Sequence, residues 1–265
     1  MNSHDRPNDG GWEDLDSRYL SNDEDTFFEY TAPLEEPLTI SVTFNGQTNQ
    51  LGIFMRTPGH DLKLVLGLVY NEGIISDPVE VESIILEDNL ANIVLSDEST
   101  YDPSLHNRKI MVTGSCGICG RNGLHDLQEV NSDARFSKKQ IHDMHDIAMK
   151  QQRIFRKTGG THGAAAFNSV GEIIGCEEDV GRHNAMDKLT GHLLSNSLVP
   201  STCILSGRIS YELVQKAIRS GYCVISAVGS ATNLAIQVAR DNDLTLISFA
   251  RDDRMTILSA PRRIR

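Results

Sequence analysis

The sequence predicts a layered α/β domain with parallel strands, preceded by a smaller α+β unit. Short, almost wholly apolar runs (Cys203 to Leu205, Cys223 to Ala227, Leu244 to Phe249) alternate with amphipathic stretches of about ten residues. Strands joined through helices of that length need crossovers, which set neighbouring strands parallel and favour the right hand. Strands that are apolar throughout are those covered by helices on both faces. Upstream, Leu38 to Phe44 and Gln50 to Met55 alternate apolar with polar residues around Asn45-Gly46, the pattern of a hairpin.

Residues 1–25 are rich in Asp, Asn, Gly and Ser without apolar periodicity, and are expected to form a disordered acidic tail. The small α+β unit, residues 26–108, adds to its hairpin a helix through Leu62, Val65, Leu66 and Val69 that Gly73 closes. Strands Val81 to Leu86 and Asn92 to Leu95 follow, turning at Asp88-Asn89. Residues 109–136 read as a flexible loop region holding a CxxC motif. The α/β domain, residues 137–265, starts at an N-cap on Ser137 with one long helix through Ile141, Met144, Ala148 and Phe155, stopping at Gly159-Gly160. Ala164 to Phe167 and Ile173 to Cys176 form a hairpin, and helices Asn184 to Leu194, Tyr211 to Ser220 and Ala231 to Arg240 separate the apolar strands.

Composition excludes several functions. With 39% hydrophobic and 23% charged residues the chain can build a core, and a net charge of −11 opposes nucleic-acid binding. No apolar run reaches the roughly 18 residues of a membrane span. Met1 to Gly11 is polar, without the apolar stretch of a signal peptide, so a cytoplasmic protein without membrane partners is expected. The five cysteines do not suggest a disulfide framework, and Cys203 and Cys223 lie in apolar runs as inert core residues. Positive charge gathers in Arg251, Arg254, Arg262, Arg263 and Arg265; alone it would be a solvated tail, but it follows a buried strand.

In such a sheet ligands bind beyond the carboxyl ends of the strands, where helix N-termini offer free N–H groups. Segments Ser206-Gly207-Arg208-Ile209-Ser210, Val228-Gly229-Ser230-Ala231-Thr232 and Phe249-Ala250-Arg251-Asp252-Asp253-Arg254 all reach that edge. Gly207, Arg208, Gly229 and Ser230 suit a phosphate, and Arg251 and Arg254 can grip phosphate oxygens or stack on a base. Ser210 and Ser230 are equally readable as helix caps. No GxGxxG or GxxxxGK[ST] motif occurs, which sets aside an ordinary dinucleotide or P-loop site.

Cys116 and Cys119 stand among Gly114, Gly117, Gly120 and Gly123 on a backbone free to move, and nearby Arg108, Lys109 and Arg121 would favour a thiolate. The pair can form a disulfide or supply half of a zinc site, with His125 or His162 joining; a thioredoxin-like role lacks its helix. Asp179, Arg182 and His183, between a strand and a helix, either orient a ligand or relay a proton, or belong to an acid-capped helix start.

Together these motifs resemble the FdhD family of formate dehydrogenase accessory sulfurtransferases. The resemblance rests on Thr113-Gly114 with Cys116-Gly117-Ile118-Cys119-Gly120, Thr161-His162-Gly163-Ala164-Ala165, Glu178 to His183 with Asp187-Lys188-Leu189, Ser206 with Tyr211 to Lys216, and the segment Phe249 to Arg254. It implies a cytidine-deaminase-like layered core behind a smaller domain, and a homodimer. It implies that Cys116 carries a persulfide accepted from a cysteine desulfurase, with Cys119 as second loop cysteine. It also implies that Phe249, Ala250, Arg251, Asp252, Asp253 and Arg254 bind molybdenum bis(molybdopterin guanine dinucleotide), a bound substrate destined for formate dehydrogenase, with no permanent cofactor or metal. Ser115, between Gly114 and Cys116, departs from some members and leaves the cysteines in register. The deaminase zinc signature is absent, so deaminase chemistry is not implied. A cofactor chaperone without sulfur chemistry is the alternative function.

Overall fold

The computed structural model describes residues 10–21, 24–103, 127 and 129–265 of the 265-residue chain. The fold is mixed α/β, and its described strands form sheets of two, four and six.

Strands β1 (Trp12–Leu20) and β2 (Asp25–Pro33) pair antiparallel. For the described residues 10–21 and 24–25, this corrects the expected disordered tail. Asp14, Asp16 and Arg18 gave that stretch its solvated character, but they alternate at period two with Leu15 and Tyr19. In the ladder Leu15 lies across from Tyr30 and Ser17 from Phe28, so the apolar residues share one ribbon face. Arg18 closes the far end with a bidentate pair to Asp25 (2.8 and 2.7 Å).

Strands β3 (Glu36–Phe44), β4 (Gln47–Arg56), β5 (Val81–Glu87) and β6 (Leu90–Leu95) form a sheet in the order β4-β3-β6-β5, with β3 and β6 parallel. Asn45 and Gly46 both adopt positive φ (50° and 73°), as a tight hairpin turn demands. Helix α1 (Asp61–Asn71) sets Leu64, Val65, Leu68 and Val69 against Leu38, Ile40, Val42 and Ile93.

Helices α2 (Lys138–Gln151) and α3 (Arg153–Thr158) replace the single long helix expected from the sequence. Ser137 caps α2 by accepting from the Gln140 N–H (3.2 Å). The break at Gln152 has a tertiary cause: the Glu178 carboxylate accepts from the N–H groups of Ile154 and Phe155 (2.9 and 2.7 Å) and caps α3 as a separate helix.

The six-stranded sheet comprises β7 (His162–Phe167), β8 (Ile173–Asp179), β9 (Thr202–Leu205), β10 (Val224–Ala227), β11 (Thr245–Arg251) and β12 (Arg254–Ser259), in the order β12-β11-β10-β9-β7-β8. Strands β9, β10 and β11 are mutually parallel; β7, β8 and β12 join antiparallel. Side-chain parity assigns the two faces. Ala164, Ala166, Cys203, Leu205, Ile225, Ala227 and Leu246 meet α4 (Arg182–Ser195), α5 (Tyr211–Arg219) and α6 (Asn233–Asp241). Ala165, Phe167, Ile204, Val224 and Ile247 meet α2 on the opposite face.

The two larger sheets join through α1 and α4, which touch backbone to backbone. A methyl group on Gly67 would sit 1.8 Å from the Asp187 carbonyl oxygen, and one on Gly191 would sit 1.9 Å from that of Lys63. Only glycine permits that approach. A buried polar network then locks the crossing. Lys216 donates to both Asp187 oxygens (2.7 Å each), and Asn71 donates to Asp187 (2.7 Å) and Thr190 (3.1 Å). A second buried pair, Lys188–Asp179 (2.8 Å), clasps the segment after β4: Lys188 donates to the Thr57 carbonyl (2.7 Å) and Asp179 accepts from the Thr57 N–H (3.1 Å).

Charge that looked like a basic tail divides in two. Arg263, 1% exposed, donates to the Ser132, Val130 and Asp243 carbonyls and to the Asp243 carboxylate, and Arg262 also pairs with Asp243. Arg263 thus staples the C-terminus to the loop ahead of α2, and both arginines tie it to Asp243 ahead of β11.

Two outcomes test this account. Asp187→Ala leaves the Lys216 ammonium buried without its main partner, and unfolding in urea should show a loss of about 3–5 kcal/mol. On the α2 face, burial and then His142 push the His145 imidazole down to about 4, against Asp146, while its Nε2 bonds Ser226 Oγ (2.8 Å). The unfolded chain therefore takes up the proton first. Stability from this group is present above about pH 6.5 and is lost as pH falls toward about 4, by up to about 1.4 kcal/mol per pH unit. His145→Asn should flatten that part of the acid-unfolding profile.

Candidate functional site

The carboxyl edge of β9, β10 and β11 forms a rim on which several loops converge. Ser206 follows β9 and is held by β7: its N–H donates to the Gly163 carbonyl (3.0 Å) and its Oγ accepts from the Gly163 N–H (2.8 Å). Gly207 and Gly229 then pack back to back, since a Cβ on Gly229 would lie 2.6 Å from the Gly207 carbonyl oxygen. Ile209 bridges Ala231, and the Phe249 N–H donates to the Gly229 carbonyl (3.2 Å). The three segments singled out in the sequence therefore form one continuous surface, with Arg208 and Ser230 exposed.

Residues 249–254 form a hairpin between β11 and β12 in place of an open loop. Arg251 pairs with Arg254 in the ladder, and Asp252 and Asp253 occupy the turn with φ of 52° and 58°. Short acidic side chains tolerate that left-handed backbone better than most. Phe249 does not share the excuse. It has φ 55°, a costly conformation for a bulky residue, at an irregularity in the ladder, and the residue is 42% exposed. Ala250 is buried against the α2 side of the sheet. Arg251 and Arg254 are exposed, the latter facing Asp252 (3.5 Å).

The serines that were readable as caps serve otherwise. Ser210 makes no capping bond; its Oγ meets His183 Nε2 (3.2 Å), which also pairs with Glu212 (2.9 Å). Helix α6 is capped by Thr232, whose Oγ1 accepts from the Ala235 N–H (3.3 Å), leaving Ser230 ahead of it on the rim.

The Glu177-to-His183 segment also divides. Asp179 is fully buried and serves the clasp on Lys188, Thr57 and the Gly181 N–H (2.9 Å), the acid-capped helix start. Glu177 holds His60 (2.5 Å) and Lys63 (2.7 Å) from the N-terminal unit; burial raises its carboxyl, but those bonds keep it below its usual range. Nothing in the sequence signals these partners, which lie over a hundred positions upstream. His162 and Arg182, in contrast, reach the rim: a Cβ on Gly207 would stand 3.1 Å from His162 Nδ1.

Cys116 and Cys119 lie outside the described residues, as do Arg108, Lys109, Arg121 and His125. Of the other thiols, Cys203 and Cys223 are buried, and burial followed by Glu178 and Glu177 pushes Cys176 up to about 12. Cys176 therefore stays protonated near neutral pH.

Comparison with known proteins places this geometry in a family. The model of the FdhD/NarQ family matches residues 33–265. A sulfur carrier protein FdhD from Sulfolobus acidocaldarius is 40% identical over 235 residues, covering 87% of this chain and 90% of the relative. Its counterpart in Streptomyces coelicolor is 34% identical over 257 residues, covering 88% and 89%. The crystal structure of a candidate formate dehydrogenase accessory protein from Desulfotalea psychrophila shares the fold, with a TM-score of 0.79 at 20% identity over 96% of this chain and 99% of that one. The match spans both larger sheets and every rim loop, so the chain belongs to the FdhD/NarQ family.

Proposed function

We propose that this protein is a sulfurtransferase that accepts persulfide sulfur from a cysteine desulfurase and passes it to molybdenum bis(molybdopterin guanine dinucleotide), its substrate, before that substrate enters formate dehydrogenase. Membership of a family whose relatives are named sulfur carrier proteins supports the sulfur-carrying part. The observation that carries the acceptor side is the convergence of Gly207, Arg208, Gly229, Ser230 and the Phe249-to-Arg254 hairpin on one rim. Backbone N–H groups and guanidiniums there suit phosphates, and the exposed Phe249 ring suits stacking on a base. On this reading the six-stranded domain is a cytidine-deaminase-like core, and the protein works as a cytoplasmic homodimer. Among the described residues no helix is long and apolar enough to cross a membrane.

The Cys116 thiolate attacks the terminal sulfur of the desulfurase persulfide, and the desulfurase thiolate leaves. The resulting Cys116 persulfide presents its outer sulfur to the substrate. The Cys119 thiolate then attacks the inner sulfur: a Cys116–Cys119 bond forms, the outer S–S bond breaks, and the outer sulfur departs as sulfide to the substrate. Two thiolates have been oxidised and one sulfane sulfur reduced, so a dithiol reductant restores the loop. Cys119 can instead relay the sulfane sulfur.

Incubated with a desulfurase and cysteine, the protein should gain sulfur on Cys116 by mass spectrometry. Cys116→Ala should lose both that adduct and the activation of formate dehydrogenase. Activation surviving in Cys116→Ala would favour the chaperone function without sulfur chemistry. GDP, as part of the substrate, should bind in the micromolar to millimolar range, by order of magnitude for a partial ligand. Phe249→Gly should weaken it about tenfold while holding or raising the melting temperature, because it removes a stacking ring and a strained φ together. Calorimetry and thermal unfolding read the two effects separately.

A further inference from the structure

One group of charges on the rim is left unused by the hairpin. Arg182 is the first residue of α4, just past Gly181, where the helix presents unpaired N–H groups and its positive end. Arg182 Nε is buried and has no hydrogen-bond partner among the described residues. Neither Arg182 nor Arg208 forms an ion pair with a described carboxylate, unlike Arg56, Arg254, Arg262 and Arg263. The acids closest in sequence are already committed: Asp179 to Lys188, and Glu178 to the start of α3.

His162 completes the group. It faces Asp179 across the β7–β8 ladder, and its ring lies against Gly207, beside Arg208. A larger residue at 207 would fill the space over the ring. His183, one position after Arg182, is fixed on Ser210 and Glu212. Two guanidiniums, an imidazole and a helix start thus meet at one corner of the rim, and no described carboxylate forms an ion pair with either guanidinium.

We infer that His162, Arg182 and Arg208 form a second anion station on the rim, separate from the 249–254 hairpin, that takes a phosphate or diphosphate group. This corner spans the ends of β7, β8 and β9, whereas the hairpin lies at β11 and β12, with β10 between them. A ligand with two anionic arms can therefore occupy both stations. That assignment of the natural ligand rests on the proposed function; the capacity to hold an oxyanion does not.

The station is also proton-linked. Burial, and after it the charges of Arg182, His183 and Arg208, hold the His162 imidazole below its usual value, while Asp179 pulls the other way. A bound anion offsets the two guanidiniums and raises His162, so binding takes up a proton and is stronger on the acid side.

Calorimetry on the full chain separates the possibilities. Pyrophosphate should bind the wild type. Arg182→Gln should weaken it about tenfold or more, the loss expected of a charge-assisted contact, and Arg182→Lys should restore part of it. Arg254→Gln should leave pyrophosphate unchanged while weakening GDP. Sulfate, whose charge is constant, should bind more tightly at about pH 5.5 than at about pH 7.5, and His162→Gln should remove that difference. Pyrophosphate affinity unchanged in Arg182→Gln, with a wild-type melting temperature, overturns the station. Pyrophosphate affinity lost equally in Arg254→Gln also overturns it, since one shared site then explains both. If pyrophosphate behaves as expected but GDP binds no better than pyrophosphate, the station stands and the guanine-nucleotide reading of the rim fails.

Discussion

The contact between α1 and α4 at Gly67 and Gly191 is the constraint on which the molecule's arrangement depends. Two helices whose backbones touch cannot slide without a carbonyl oxygen colliding with a neighbouring Cα, so their register is fixed by sterics. The Lys216–Asp187 and Lys188–Asp179 pairs add direction to that register, because a buried charge that loses its partner is far more costly than one never buried. Both acids lie on or beside α4, the helix that also supplies Arg182 at its start. Fixing α4 against the N-terminal unit therefore fixes one corner of the rim.

The remainder of the rim follows from strand parity and loop packing. With helices on both faces of the six-stranded sheet, polar backbone can reach solvent only at the strand ends. There the loops support one another through main-chain contacts: Gly207 on Gly229, Ile209 on Ala231, Phe249 on Gly229. The exposed side chains they carry are thus mounted on a rigid base. Phe249 keeps its strained φ on that base, with its N–H held by the Gly229 carbonyl.

Periodicity decided much of this in advance. The period-two pattern of β3 and β4, the Asn45-Gly46 turn and the apolar runs of β9, β10 and β11 are local properties, and the structure realises each close to its expected limits. The rim segments were legible for the same reason, since glycine and hydroxyl residues between an apolar strand and a helix have few other places to be. Local patterns misled where a long-range partner intervened. Glu178 splits α2 from α3, and the apolar side of the β1–β2 ribbon emerges only when two strands pair and gather Leu15, Tyr30 and Phe28 on one face.

Periodicity in the sequence was enough for strands β3 to β11 and most of the helices, for three parallel strands sharing an edge, and for the glycine and arginine residues that arrive there. Spacing along the chain carries that information because side-chain direction repeats with the backbone. Tertiary structure alone decided what each charge does. Arg263 and Arg251 stand twelve positions apart in one basic stretch, yet one is sealed beneath the C-terminus and the other is open on the rim. Asp179 clasps Thr57 while nearby Arg182 has no described acid to meet. A side chain's charge is written in its residue type, but its role depends on which opposite charge folding brings within reach.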